Sequence, residues 1–261
     1  MSEKTEKYVI LEKAVGETPL ECTEKWRKTR PDLAGVPLAY AGRLDPMASG
    51  QLLVLVGEEC KKQTEYHNLD KEYEFEILFG VSSDSGDVLG IITETTKKVI
   101  DENEIKSVLE NMIGDIELPY PIFSSKTVKG IPLHTWTMEG RLNEIEIPTR
   151  KSKIYELELL ETKELTREDI AKITLEKIET IPPVTDKRKA LGNDFRRPKV
   201  RKSWQSFANF SAPEDRFTIA KVRCLSSSGT YMRTLAEVIA EKLGSKGLAF
   251  SIHRTQVFLT N

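Results

Sequence analysis

The chain has 261 residues, of which 39% are hydrophobic and 31% are charged, and its formal net charge is −2. This length is enough for one large domain or two small ones with a core of their own. No stretch approaches the roughly 20 apolar residues of a membrane span, and the polar start lacks the apolar run of a signal peptide. We therefore expect a cytoplasmic protein without a membrane partner.

The first half of the chain predicts three strands and one helix. Residues 8–11 form a short apolar run typical of a strand, and residues 18–29 predict a helix that leads into a turn at Pro31. Residues 51–56 are continuously apolar between Gly50 and Gly57, which indicates a strand buried on both faces. Residues 73–77 alternate between apolar and polar side chains, so we expect a half-buried strand that ends at Gly80.

Residues 101–244 predict two helices and two further strands. Asp101 is a candidate helix N-cap with Glu104 three residues later, and apolar side chains recur at helical spacing up to Met112, before Gly114. Residues 154–160 and 217–225 are predicted strands, and residues 234–243 are a predicted helix that Gly244 ends. Because strands and helices do not follow a strict βαβ rhythm, the expected fold class is α+β with a mixed, largely antiparallel sheet flanked by helices and loops.

The cysteines and histidines are too scattered to predict a disulfide framework or a metal site. The cysteines are odd in number and form no CxxC pair, which fits a reducing compartment. The histidines are isolated, so ligand spacing predicts no metal. The residues concerned are Cys22, Cys60, Cys224, His67, His134 and His253.

A basic segment stands out against the balanced total charge. Positive charge is concentrated at residues 187–189 and 196–202, and aromatic side chains follow closely at Trp204, Phe207 and Phe210. Gly192, Pro198 and Pro213 predict that no long regular element forms here. The segment is either a solvated loop or a surface that contacts phosphates and stacks aromatic rings on bases, and composition leaves both interpretations open.

Residues 42–50 have the composition of a loop and contain one acidic side chain, Asp45. Pro46 disfavours the helical conformation for Asp45 and pushes it towards an extended one. A carboxylate at such a turn can project into a cleft, or it can bond to nearby backbone amides as turn aspartates often do. On the local pattern alone, the turn interpretation is favoured.

Six further motifs change that balance, because together with the Asp45 loop they resemble the TruB family of pseudouridine synthases in type and in order. The resemblance covers roughly residues 8–256. It rests on Gly42 with Leu44-Asp45-Pro46, Ala48 and Gly50; on Gly57-Glu58 with Lys61; on Lys71-Glu72-Tyr73; on Gly80 with Asp84 and Asp87; on Pro121-Ile122-Phe123-Ser124 with Lys126, Gly130 and Leu133; on Gly229-Thr230-Tyr231-Met232-Arg233; and on Ile252-His253-Arg254-Thr255.

The resemblance implies a pseudouridine-synthase-like fold and a catalytic role for Asp45, with no cofactor and no metal. Arg233 corresponds to the family arginine that pairs with the catalytic aspartate, and a bidentate contact would keep that carboxylate ionised. Tyr73 corresponds to the tyrosine that stacks on a flipped-out base. Tyr231 and Ile252 correspond to residues that line the same pocket, although core packing explains these two nearly as well. Lys126 is a further candidate for substrate binding.

The sequence also departs from the family pattern. Tyr40 replaces a histidine associated with flipped-out nucleotides, and Arg43 replaces a small residue beside the catalytic aspartate, where it could contact a phosphate. Most members continue into a small RNA-binding PUA-type domain. We expect a single catalytic domain over residues 1–261 without a PUA domain, and with a basic insertion at about residues 163–215 that compensates for it.

The function implied by the resemblance is isomerisation of uridine to pseudouridine in RNA, at position 55 in the T loop of tRNA. Two alternatives stay open: the same chemistry on a different RNA, or an RNA-binding or tRNA-folding protein whose catalysis is dispensable. A glycoside hydrolase is disfavoured because such enzymes usually employ two paired carboxylates. RNA, with tRNA expected, is the predicted partner, and the chain is predicted to act as a monomer.

Overall fold

One mixed sheet runs through most of the chain in the computed structural model, which describes residues 6–183, 194–210 and 215–259. Its strands are β1 (Tyr8–Lys13), β2 (Leu38–Ala41), β3 (Ala48–Val56), β4 (Lys71–Phe79), β7 (Gly114–Pro119), β10 (Thr149–Thr166), β11 (Arg216–Ser226) and β12 (Gly247–Val257). The strand order is β1-β3-β12-β4-β11-β10-β7, with β2 paired to β3. Every pair is antiparallel except β3 with β12, which agrees with the predicted sheet.

Two small hairpins and seven α-helices complete the described part of the fold. The hairpins pair β5 (Val81–Ser83) with β6 (Ile92–Thr95) and β8 (Thr127–Val128) with β9 (Ile131–Pro132). The helices are α1 (Pro19–Arg27), α2 (Gln63–His67), α3 (Glu102–Glu110), α4 (Leu133–Met138), α5 (Arg167–Thr180), α6 (Arg197–Ala208) and α7 (Met232–Lys242). In the described ranges, no helix is both long enough and apolar enough to cross a membrane.

Strand β3 changes partner along its length, and this places the Asp45 loop. Its first residues pair with β12 and its last residues pair with β2, while β1 covers its other edge. Gly50 has φ +107°, and a Cβ there would lie 2.2 Å from the backbone oxygen of Arg254. Only glycine therefore permits β3 and β12 to approach so closely. Residues 42–47 connect β2 to β3 and lead directly into the part of β3 that pairs with β12.

The local signal located the start of α3 but not its end. The Asp101 side chain accepts hydrogen bonds from the amides of Asn103 and Glu104, as an N-cap does. Helix α3 nevertheless ends at Glu110, and Gly114 begins β7 instead of ending the helix. The predicted stop at Gly114 was therefore wrong by one turn.

The basic segment is structured differently from the prediction. Residues 187–189 lie outside the described residues, but α6 is a twelve-residue helix, so the expectation that no long regular element forms is wrong there. Pro198 does not interrupt α6, because it lies in the first turn, where the missing N–H has no helical partner. Helix α6 packs against α5, which continues from the end of β10.

The aromatic side chains of α6 are core residues. Trp204 and Phe207 are buried, the indole N–H of Trp204 donates to the carbonyl of Gly90 at 3.2 Å, and the ring of Phe207 lies 5.5 Å from that of Phe217. Trp204 and Phe207 are therefore not available to stack on bases, which was one of the two interpretations that the sequence left open. Phe210 alone of the three is exposed, at 59%.

Candidate active site

The loop between β2 and β3 presents Asp45 to solvent while its neighbours anchor it. Leu44 and Met47 are buried on either side, and the Asp45 side chain remains 43% exposed. The loop backbone is fixed by hydrogen bonds from the Ala48 amide to the Asp45 carbonyl at 3.0 Å and from the Gly16 amide to the Pro46 carbonyl at 2.9 Å. Among the described residues, no backbone amide donates to the Asp45 carboxylate, so the turn interpretation does not account for its side chain.

Arg233, in the first turn of α7, is the cation beside Asp45. Its Nε lies 2.9 Å from Asp45 Oδ2, while Nη1 donates to the Ser85 carbonyl at 3.0 Å and Nη2 to the Phe123 carbonyl at 3.3 Å. The contact with Asp45 is thus a single ion pair and not the bidentate contact that the sequence suggested. The Nε–H is also poorly aligned for a hydrogen bond. The two backbone carbonyls occupy the outer guanidinium nitrogens and fix the plane of the group.

Asp87 supports Arg233 from the protein interior. Its Oδ2 lies 3.7 Å from Arg233 Nε, and its Oδ1 accepts hydrogen bonds from the Ser85 hydroxyl at 2.6 Å and the Leu89 amide at 2.9 Å. Burial raises the pKa of Asp87, and Arg233 opposes that shift. Burial also disfavours the charged form of Arg233, but Asp45 and Asp87 outweigh it, so the pKa of Arg233 is raised. The arginine therefore stays charged although it is buried.

Ile252 lies on β12, next to the start of β3, and Tyr73 lies on β4, the strand beyond β12. Tyr73 is only 9% exposed and belongs to the same buried cluster as Leu44 and Met47. Ile252 is buried too and pairs in register with Ala48. Both are core residues at the base of the Asp45 loop, and their predicted contacts with a base stay predictions.

Tyr231 and Lys126 are joined to the site through Tyr120. The rings of Tyr231 and Tyr120 meet edge to face at 5.5 Å, and Lys126 Nζ lies 5.0 Å from the centroid of the Tyr120 ring. Burial raises the pKa of Tyr231, and Asp45 contributes in the same direction. The Tyr120–Tyr231 pair is therefore close enough to Asp45 for an electrostatic effect, and Lys126 lies exposed over the Tyr120 ring.

The two residues that depart from the family pattern lie in different surroundings. The half-buried ring of Tyr40 packs against the small apolar cluster of Cys22, Leu52 and Val54. Arg43 is exposed and lies close enough to His67 to lower the pKa of that histidine, although burial of His67 is the larger cause. Their roles towards RNA stay predictions.

Two buried cations support the Asp45 loop, and sequence reasoning assigned neither a role. Lys13 is fully buried and donates to the carbonyls of Ala14 and Glu17, both at 2.8 Å. Burial lowers its pKa to about 8, against the opposing effects of Glu17 and Asp45. Arg254 donates to the carbonyl of Gln51 at 2.6 Å and to that of Gly42 at 2.9 Å, which closes the gap between β3 and the start of the loop.

Some of the missed residues left a signal in the sequence. Asp87 and Arg254 belong to matched motifs, and Tyr120 precedes one, so each could have been named as a candidate. Lys13 gave no such signal, because a lysine at the end of a strand is ordinarily a surface residue. Among the described residues, no group of three or more histidine, cysteine or acidic side chains could hold a metal ion.

Comparison with known proteins gives a consistent family match. Residues 35–178 match the model described as TruB family pseudouridylate synthase, N terminal domain. The chain is 29% identical to a tRNA pseudouridine synthase B of Caldicellulosiruptor saccharolyticus, over 95% of this chain and 66% of that protein. It is 36% identical to tRNA pseudouridine synthase 4 of Saccharomyces cerevisiae, over 51% of this chain and 33% of that protein.

Solved structures with a similar fold are also found. A crystal structure of a Cbf5–Nop10–Gar1 complex matches with a TM-score of 0.56 and 17% identity, over 96% of this chain and 48% of that one. An H/ACA ribonucleoprotein bound to a substrate RNA containing 2′-deoxyuridine matches with a TM-score of 0.52 and 16% identity, over 96% and 47% of the two chains. The chain thus spans about half the length of these structural neighbours, and the likeness concerns the fold.

Proposed function

The chain belongs to the TruB family of pseudouridine synthases, and from this premise we propose that it isomerises uridine to pseudouridine in RNA. The observation that carries the proposal is the exposed Asp45 carboxylate held by the buried guanidinium of Arg233 at 2.9 Å. A binding protein would gain nothing from an anchored carboxylate in a surface that has to receive an anionic polymer. The same pair suits a reaction that needs one carboxylate in a fixed position.

The reaction needs no net change of atoms or electrons. The bond between ribose C1′ and uracil N1 breaks, the base rotates, a bond forms between C1′ and C5, and the C5 proton is lost while N1 gains one. Arg233 contacts Asp45 Oδ2, and no hydrogen bond to Oδ1 is found among the described residues. We infer that Oδ1 is the atom that acts on the substrate, either by adding to the sugar or base or by taking the proton from C2′.

We propose tRNA as the substrate, with position 55 of the T loop as the target. The support is that similar proteins in bacteria and yeast carry the name tRNA pseudouridine synthase. The uridine must leave its stack before the glycosidic bond can be reached. The half-buried Tyr120–Tyr231 pair beside the loop is the aromatic surface proposed to receive it, with Tyr73, which is only 9% exposed, as a second contact at the base of the loop.

The proposal is tested by treating tRNA transcripts with the purified full-length chain and mapping pseudouridine by chemical probing. We expect one modified uridine, in the T loop. Asp45→Asn should abolish modification, and Asp115→Asn, an exposed aspartate on β7 at the opposite edge of the sheet, should leave it unchanged. No modification by the wild type would refute the activity, and a site outside the T loop would refute the substrate alone. Full complementation of a deletion strain by Asp45→Asn would support the binding alternative.

We propose that the basic segment contacts RNA phosphates through Lys199 and Lys202. Both are exposed on α6, whereas Arg196, Arg197 and Arg201 are engaged in ion pairs. Reversing both lysine charges to glutamate should weaken tRNA binding and reduce the slope of log K against log salt by about 1 for each phosphate that the protein no longer neutralises. An unchanged slope would refute the assignment. These exposed positions test the idea better than deleting the segment, because α6 contributes to the core.

The remaining expectations concern the oligomeric state and the cellular location of the protein. We propose that the chain acts as a monomer in the cytoplasm. Sedimentation equilibrium with and without tRNA would test the first, and a dimer in both conditions would contradict it. Fractionation of cells that express the chain would test the second, and recovery with membranes would contradict it.

A further inference from the structure

Arg196 connects the α5–α6 unit, by which we mean α5, α6 and the turn Asp194–Arg196 that precedes α6, to the segments around the candidate active site. Its guanidinium forms an ion pair with Asp84 and lies over the ring of Phe123, with the central carbon 4.3 Å from the ring centroid. The Arg196 side chain is only 11% exposed. Arg196 also lies outside residues 35–178, the part of the chain that matches the family model.

The two partners of Arg196 belong to the two segments that hold Arg233. Ser85, next to Asp84 in the chain, accepts a hydrogen bond from Arg233 Nη1 through its carbonyl, and Phe123 accepts one from Nη2 in the same way. Asp84 itself is tied to its own turn, since its Oδ1 accepts from the Ile91 amide at 2.9 Å. One side chain of the α5–α6 unit therefore fixes both backbone carbonyls that orient the arginine beside Asp45.

The backbone of Arg196 is in a conformation that favours glycine. Its φ of 69° and ψ of 0° lie in the left-handed region, which is unfavourable for residues with a Cβ. Such a conformation persists where the surrounding contacts over-determine it. The Arg196 side chain makes such contacts here, with Asp84 and Phe123.

The α5–α6 unit also reaches the other side of the site. A Cβ on Gly16, which has φ +88°, would lie 2.5 Å from the carbonyl oxygen of Thr180 at the end of α5. The Gly16 amide in turn donates to the carbonyl of Pro46, directly after Asp45. The unit thus contacts the Asp45 loop through Gly16 and the surroundings of Arg233 through Arg196.

We propose that Arg196 is a positioning residue for the isomerisation: it holds the Asp84–Ser85 turn and Phe123 where their segments orient Arg233, and Arg233 in turn orients Asp45. The inference rests on the proposed function for its kinetic consequence, but its structural content, the ordering of Arg233, does not. Misplacement of a catalytic group by about 1 Å can lower a rate by about 100-fold. Arg196 acts through Arg233 and does not itself contact the substrate.

Arg196→Gly is the sharpest variant, because glycine suits the left-handed backbone and removes only the side chain. We expect its single-turnover rate on the tRNA transcript to fall by about tenfold or more, with the Kd for tRNA changed by less than about threefold and the thermal unfolding midpoint retained. Arg196→Lys keeps the ion pair with Asp84 but removes the planar group over Phe123, so its rate should be intermediate. Asp84→Asn, which preserves the shape of the side chain, should lower the rate in the same way.

The matched control is Arg30→Ala. Arg30 has the same two kinds of partner, an ion pair with Asp32 at 2.8 Å and an aromatic ring, Trp26, at 5.6 Å, but it lies just beyond the end of α1. Its rate should equal that of the wild type. A wild-type rate for Arg196→Gly would overturn the proposal, and so would a rise in Kd with a smaller salt slope, which would make Arg196 a phosphate contact instead.

A second measurement does not depend on activity. Hydrogen exchange of the Arg233 Nε–H, followed by NMR, should become faster in Arg196→Gly than in the wild type and stay unchanged in Arg30→Ala. If the wild type modified no RNA, the proposed function would fail while this measurement still decided whether Arg196 orders Arg233. Equal exchange in Arg196→Gly and wild type would overturn the positioning role.

Discussion

Replacing Glu237 by glutamine should stabilise the protein at neutral pH and leave its stability nearly unchanged in acid. Glu237 lies on α7 one turn after Arg233, with its carboxyl group against Gly86, where a Cβ would lie 3.0 Å away. Burial raises the pKa of Glu237 to about 7, with Glu241 and Asp87 adding to the shift and Arg233 opposing it. Glu94 and Lys246 line the same shallow cleft from β6 and the turn before β12.

The sign and size of the effect follow from the pKa of Glu237 in the unfolded state, 4.5, and in the folded state, about 7. Between its unfolded value of 4.5 and about 7, the folded state binds more protons at this group than the unfolded state, so stability falls as pH rises through this window. At about 1.36 kcal/mol for each pKa unit, the difference corresponds to about 3 kcal/mol when the group is fully ionised. Because Glu237 is not completely buried, solvent reduces this, and we expect about 1–3 kcal/mol.

Urea denaturation at about pH 5 and about pH 8 measures this directly. The free energy of unfolding of Glu237→Gln minus that of the wild type should rise by about 1–3 kcal/mol between these conditions. Glu176→Gln, at an exposed position on α5 outside this cleft, serves as the control and should follow the wild type. A difference that is the same at both pH values would refute the reasoning, because it would show that Glu237 ionises alike in the folded and unfolded states.

Three further predictions concern the site and the core. Arg233→Met should lower the single-turnover rate by about 100-fold or more, because Asp45 loses its only cation at ion-pair distance among the described residues. A reduction of less than about tenfold would contradict this prediction. Arg254→Met should lower the free energy of unfolding by about 2–3 kcal/mol, because the carbonyls of Gly42 and Gln51 lose a charged donor. Urea denaturation measures this change, and an unchanged midpoint would contradict the role of Arg254 in anchoring the Asp45 loop. Trp204→Ala should lower the free energy of unfolding by about 3–5 kcal/mol, whereas Phe210→Ala, at an exposed position, should leave it almost unchanged. Urea denaturation measures both, and similar losses for the two variants would contradict the assignment of Trp204 to the core.

The sequence by itself determined the framework of the fold and the identity of the central carboxylate. Alternation at residues 73–77 and the apolar run at residues 51–56 indicated β4 and β3, because side-chain period and burial are set locally along a strand. Asp101 indicated α3 for the same reason, since an N-cap acts on the next few amides. Asp45 was less secure on local grounds, and only the ordered set of motifs that includes Arg233 favoured a catalytic role.

Only the tertiary structure decided what surrounds that carboxylate. Arg233 meets Asp45 with one nitrogen because the carbonyls of Ser85 and Phe123, far apart in the chain, occupy the other two. The basic segment had the composition of a loop, yet α6 forms because Trp204 and Phe207 find partners near β6 and on β11. Helical propensity and charge are properties of a segment, whereas burial and ion-pair geometry depend on which distant segments meet. The sequence could therefore identify Asp45 as the candidate. Which residues surround Asp45, including Arg233 and the more distant Arg196, was decided by tertiary packing.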